Sequence, residues 1–321
     1  MHRGPRLTDR LKRGLALAAC AALTACTPPP APDTRAGLAP RPRPDDLQGP
    51  VAESPEAQAM RAYYARIQAD LLAQGLLRTD GGGRDTPFND RMLTENFIRI
   101  ALYDEYARGN GGFSQRETES RLRRWAGPVR VGLSFGPSVP LERRETDRAR
   151  VASYLGRLAA ITGHPVALSD TSPNFFLHIV AEDERRTLAP AIGAALPGLS
   201  PAEIAGITDM PRSTYCLVYA LSDDATSIYT RAFAVIRAEH PDLLRLSCLH
   251  EELAQGLGLA NDSPSARPSI FNDDEEFALL TRQDELMLKM LYDPRLRPGM
   301  TVEEARPIVQ TIAYELVGGE S

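Results

Sequence analysis

The stretch LSCLHEELAQGLGLAND, residues 246–262, decides how this chain is read. Leu246, Leu249, Leu253 and Leu257 recur three and four residues apart, the spacing of one helix face. That face should pack on a sheet. Pro241 or Asp242 is placed to start the helix. Glu251 and Gln255 stand one turn apart and share a second face. Gly258 permits the turn that ends the helix and brings Asn261 and Asp262 back toward it. His250 precedes Glu251 in the chain, but adjacent helical residues are about 100° apart around the axis. The spacing therefore makes His250 a packed or capping residue. The alternative, a metal or acid–base site shared with Glu251 and Glu252, needs side chains that do not share a face.

Around this helix the chain alternates between strands and helices. PVRVGLSF (128–135), NFFLHIVAED (174–183), STYCLVYALSD (213–223) and SIYTRAFAVIRA (227–238) have the apolar, β-branched and aromatic content of strands. DDAT (223–226) marks a hairpin between the last two. An amphipathic helix over 145–163 joins the first two, which should therefore be parallel. The segment 183–209 reads as helical or irregular. Two more helices are expected near 273–291 and 301–317. Upstream, Ser54 and Pro55 begin a helix over 54–77, a second is expected over 89–108, and a third, strongly basic one over 116–125. Arg121, Arg123 and Arg124 there read as a solvated face over a packed Trp125, rather than as an anion site. The fold class is α+β: a mixed sheet with its helix, preceded by N-terminal helices.

The first residues follow another logic. A basic segment from Arg3 to Arg13 precedes an apolar run over 14–23 that is too short to span a bilayer, the pattern of a secretory signal. It ends in LTAC, which resembles a bacterial lipobox with Cys26 as the acylated residue. Residues 1–26 are thus expected to be a lipoprotein signal. Residues 27–53, rich in Pro, are expected to be a disordered tether. Residues 54–127 form the helical region and 128–321 the α/β domain. By resemblance to bacterial sorting rules, Thr27 favours the outer membrane, facing the periplasm. Of four cysteines, Cys20 leaves with the signal and Cys26 takes lipid. Cys216 and Cys248 remain, a pair in an oxidising compartment, and a disulfide is expected. Two buried free thiols are the alternative. The net charge of -5 gives no basic face for nucleic acid.

Two registers align the opening stretch with His-Glu-x-x-His-x-x-Gly-x-x-His, the long zinc-peptidase signature. From His250 the second ligand position falls on Ala254, which binds nothing. From Glu251 the general base falls on Glu252, the glycine on Gly258, and the three histidine positions on Glu251, Gln255 and Asn261. ELAQGLGLAND, then SIF (269–271), LTRQD (280–284) and Leu291-Tyr292, resemble the metzincin peptidases, with Phe271 where their turn has Met. The whole pattern, with LMLKMLYDPRLRPGMT (286–301), is similar to domain-of-unknown-function family 2927. That resemblance implies a zincin-like domain in a secreted or lipid-anchored bacterial protein, and no established activity.

Zinc in catalytic sites is held mainly by imidazole. Here Glu251, Gln255 and Asp262 offer oxygen alone, a set suited to a harder divalent ion. Two functions follow. The first is a non-catalytic envelope lipoprotein that needs no cofactor. It would bind a peptide, protein or cell-wall ligand in a cleft lined by Glu251, Gln255, Asn261 and Asp262. The second is a divergent metal-dependent peptidase with Glu252 as general base. The loss of every imidazole favours the first; a purely structural role is a third. The acidic run NDDEEF (272–277) reads as charge at a helix N-terminus. Gly81, Gly82 and Gly83 lack the Lys-Ser/Thr of a phosphate loop.

Overall fold

Three apolar strands make the centre of the molecule. In this computed structural model, residues 51–109, 112–272 and 274–318 are described, and over 105–117 the description is of the backbone alone. The expectations on the signal segment, Cys26 and all but the end of the tether fall outside them. Helices α1 (Pro55–Ala73) and α2 (Asp90–Ala101) come first. A hairpin of β1 (Tyr103–Gly109) and β2 (Gly112–Glu119) follows. Then come β3 (Val129–Phe135), α3 (Leu141–Thr162), β4 (Val166–Leu168) and β5 (Phe175–Val180). Three short helices, α4 (Glu182–Arg185), α5 (Ala189–Ala195) and α6 (Pro201–Thr208), precede β6 (Cys216–Ser222) and β7 (Tyr229–Arg237). Helices α7 (Asp242–Gln255), α8 (Arg282–Leu291) and α9 (Val302–Val317) complete the order.

The main sheet has the order β4-β3-β5-β7-β6. The first four strands are parallel and β6 runs antiparallel at the edge. This is a mixed sheet with helices before and after it, an α+β architecture. Successive side chains point to opposite faces. Phe233 and Val235 therefore meet Ile192, Leu196 and Ile207 of the α5–α6 layer. Ala232, Ala234 and Ile236 join the larger core with Leu249 and Leu253 of α7 and Val151, Leu155 and Leu158 of α3. Among the described residues no helix is long and apolar enough to cross a membrane.

Three expectations need correction. The second helix ends at Ala101, and the chain then enters β1. Gly109 pairs with Gly112 at the end of the ladder, and the sequence between them, Asn110-Gly111, is a strong hairpin signal. No helix spans 116–125. Leu122 exchanges backbone hydrogen bonds with Gly299 and Met300, and Arg124 accepts one from Tyr229 N. These distant pairings override the good local helix propensity. Arg124 is not on a solvated face: it donates to the carbonyls of Leu291, Asp293 and Leu296, where a cation suits the C-terminal end of α8. Finally, α8 starts at Arg282, not near 273. The backbone at Glu275, Glu276 and Ala278 is bonded instead to Leu77 and Arg78. Glu276 is paired with Arg78 and Arg267, so its charge answers arginines rather than a helix dipole.

Candidate functional site

Helix α7 carries the site, and its two ends are fixed differently. At the start, Pro241 is the cap residue and Gln68 of α1 accepts from Leu244 N. At the end, Trp125 Nε1 donates to Gly256 O at 2.8 Å and Tyr292 donates to Leu257 O at 3.0 Å. These side chains satisfy carbonyls that a helix end leaves open. Gly258 then adopts φ +129°, and a Cβ there would stand 2.4 Å from Arg123 O. Only glycine fits such a position. The turn sends the chain back past α2, where Asn261 N donates to Ile100 O.

His250 is buried and faces α3. Its ring stacks on Tyr154 with centroids 4.0 Å apart. Nδ1 accepts from Leu280 N at 3.1 Å, and Tyr154 donates to His250 O at 2.8 Å. Burial, with a smaller contribution from the Arg157 charge, pushes its pKa down to about 3, so the ring is neutral. It is a packing residue that also fixes the start of the loop into α8.

Round the helix from His250, Glu251 and Glu252 approach β6. Their carboxylate oxygens and Cys216 Sγ lie within 4.8 Å of one another. Cys216 is joined to Cys248 by a disulfide, with Cα atoms 5.8 Å apart, so this sulfur has no thiolate to offer. Glu251 is half-buried and Glu252 is 3% exposed. One turn further on, Gln255 donates from Nε2 to Asp262 Oδ1 at 2.9 Å. Asn261, the neighbour of Asp262, is buried and donates to Arg99 O at 2.9 Å, which fastens the returning chain to α2. The structure thus brings Glu251 with Glu252, and Gln255 with Asp262. It commits Asn261 to the backbone of α2. The Glu251, Gln255 and Asp262 set considered for a divalent ion is all oxygen, and within it Gln255 Nε2 donates to Asp262.

The segment 269–271 is held by one carboxylate. Asp284 accepts from Ser269 Oγ at 2.6 Å, from Ile270 N at 3.1 Å and from Thr281 N and Oγ1 at 2.8 Å each. Its complete burial nonetheless pushes its pKa up to about 6, against the pull of those hydrogen bonds. Phe271 is fully buried below.

A second group of charges escaped the reading of the sequence. Glu182, directly after β5, accepts from Arg185 at 2.6 Å and from Arg237 at the end of β7. Burial works against the Glu182 charge, but these two arginines hold its pKa below the usual value. Glu239 Oε1 accepts from Glu182 N at 2.6 Å, yet burial raises the Glu239 pKa to about 7. The Tyr64 ring of α1 lies over Arg237 and edge-on to His240. All these groups are closed from solvent, which marks them as structural. The charged residues that end the apolar strand at Arg237, Glu239 and His240 were the available signal, but their partners are distant in sequence.

No curated protein and no solved structure matches the chain. The family described as "Protein of unknown function (DUF2927)" matches residues 90–311, from the start of α2 into α9. That span is more than half of the chain and includes the whole main sheet, α7 and the turn at Gly258, and so the chain belongs to this family.

Proposed function

We propose that the domain is a non-catalytic binding module of a cell-envelope lipoprotein, and that it holds a peptide, protein or cell-wall ligand in the cleft between α7 and β6. One observation carries this reading. The face of α7 that would have to hold a catalytic zinc presents Glu251 and Gln255, one carboxylate and one amide, with Gln255 Nε2 donating to Asp262. A site without imidazole offers only carboxylate and amide oxygen, a poor set for the zinc ion that activates water near neutral pH. Glu252 is then a positioning or ligand-binding carboxylate.

A zincin-like scaffold fits this reading. Its parts are four parallel strands, an antiparallel edge strand, a helix that directly follows the last strand, and a glycine turn after that helix. Edge strand β6 favours an extended peptide among the ligand classes, because an edge offers backbone hydrogen bonds to an added strand. The anchor is an N-terminal lipid on Cys26, with the domain tethered at the outer membrane and facing the periplasm. Nucleic acid is not a partner in this reading.

The test uses the purified full chain, short fluorescent peptides and muropeptides, with elemental analysis after dialysis without chelator. Saturable binding without hydrolysis and without stoichiometric zinc is expected. Stoichiometric metal together with hydrolysis abolished by Glu252→Gln would establish a metal-dependent peptidase instead. Mass spectrometry of the mature N-terminus should find a lipidated Cys26; an unmodified terminus elsewhere would remove the anchor from the proposal.

A further inference from the structure

The Cys216–Cys248 disulfide sits among groups that suit its reduced form better than its oxidised one. On one side is His240, fully buried. Its Nδ1 lies 3.7 Å from Cys248 Sγ, and its Nε2 has no hydrogen-bond partner. A disulfide sulfur has no proton to give, so neither ring nitrogen of this buried imidazole has a strong partner while the bond is intact. Such a group costs free energy. A Cys248 thiol would donate its proton to Nδ1. On the other side, Glu251 Oε2 is 3.9 Å from Cys216 Sγ, and Glu252 completes a trio of donor atoms within 4.8 Å of one another.

We propose that the disulfide masks a metal-ion site, and that its reduction lets the Cys216 thiolate, Glu251 and Glu252 bind zinc. Zinc–sulfur bonds of about 2.3 Å and zinc–oxygen bonds of about 2.0–2.2 Å put tetrahedral donors roughly 3.3–3.7 Å apart. The trio must close by up to about an ångström, through rotation of the freed Cys216 side chain and of the two glutamate side chains. Thiolate with carboxylate is a zinc-type donor set, and three protein donors leave a fourth position open.

The redox step balances with a dithiol donor. Its thiolate bonds to Cys216 Sγ, which is half-buried, and breaks the bond to Cys248. Cys248 leaves as a thiolate and takes a proton beside His240. The donor's second thiol then attacks its own sulfur in the mixed disulfide and frees Cys216. Two electrons and two protons pass to the protein, and the donor becomes a disulfide. Zinc binding finally displaces the Cys216 proton.

This inference goes beyond the binding-module reading and does not depend on it, since peptide binding by the oxidised chain is measured separately. The experiment compares the oxidised full chain with the same chain reduced by a water-soluble phosphine, which is itself converted to the phosphine oxide with oxygen from water. Cobalt(II) is titrated as the probe for sulfur ligation and zinc for affinity. A variant with both Cys216→Ser and Cys248→Ser supplies the baseline from Cys20 and Cys26. The reduced chain should bind one zinc at least about 100-fold more tightly than the oxidised chain, with a thiolate-to-cobalt absorption band. Cys216→Ser should remove the band. Cys248→Ser should show it without reductant, and the double change Glu251→Gln with Glu252→Gln should weaken binding by about tenfold or more. Equal affinity in the two redox states, a band that survives Cys216→Ser, or a reduced chain that loses its far-ultraviolet circular dichroism would each overturn the proposal.

Discussion

Helix α7 has two polar faces, and they meet different fates. On one, His250 is sealed: stacked on Tyr154, bonded to Leu280 N and neutral. On the other, Glu251 and Glu252 gather at edge strand β6 beside a disulfide. Adjacent residues in one sequence thus become a packing group and a group at the sheet edge. The difference shows that a histidine next to two glutamates is not evidence of a shared site on a helix. The face each side chain points to decides its chemistry.

The comparison breaks most severely at the turn both faces depend on. Gly258→Val places a Cβ against the Arg123 carbonyl at positive φ, and should cost about 4 kcal/mol or more in urea unfolding. Loss of the disulfide beside Glu251 and Glu252 comes next. Cys216→Ala with Cys248→Ala opens a loop whose ends are 32 residues apart and should lower stability by about 3–4 kcal/mol in the same assay. On the sealed face, His250→Ala leaves a cavity over Tyr154 and an unpaired Leu280 N, for a loss of about 2–4 kcal/mol.

Acid sharpens the contrast further. The depressed pKa of His250 means that its contribution is complete above about pH 6.5 and is lost as pH falls toward 3. The raised pKa of Asp284 works the other way. Its contribution is complete below pH 3.8 and is lost as pH rises through about 6. Stability measured against pH should therefore lose acid sensitivity between pH 6.5 and 3 in His250→Gln. It should lose its decline between pH 3.8 and about 6 in Asp284→Asn. Parallel curves for a variant and the parent chain would refute the assignment for that group. The smallest effect belongs to Glu251, beside β6. Glu251→Gln should change unfolding stability by less than about 1 kcal/mol while altering ligand binding.

Much of the local structure was legible. The leucine spacing placed α7, the glycines ended it, and the turn residues near 223–226 announced the β6–β7 hairpin. The disulfide expected between Cys216 and Cys248 is present. The candidate ligands were harder to place. Gln255 and Asp262 do meet, but nothing local shows that Asn261 would be spent on Arg99 O. The hairpin of β1 and β2 was missed although Asn110-Gly111 is a hairpin dipeptide, because the flanking residues are also good helix formers. The clasp of Asp284 on Ser269 and Ile270 joins residues 14 and 15 apart, beyond any helical period.

What the sequence determined by itself was periodic or covalent: which face of α7 is apolar, where glycine must turn the chain, and that Cys216 and Cys248 are a pair. Those depend on neighbours a few residues away or on a count. The tertiary structure alone decided where the charges went. It sent Arg124 to the end of α8, Glu276 to Arg78 and Arg267, Glu182 to Arg237, and His240 to the buried side of the disulfide. A buried charge or imidazole is tolerable only beside a specific partner. In this molecule those partners come from remote segments that meet only when the sheet and its helices close on one another.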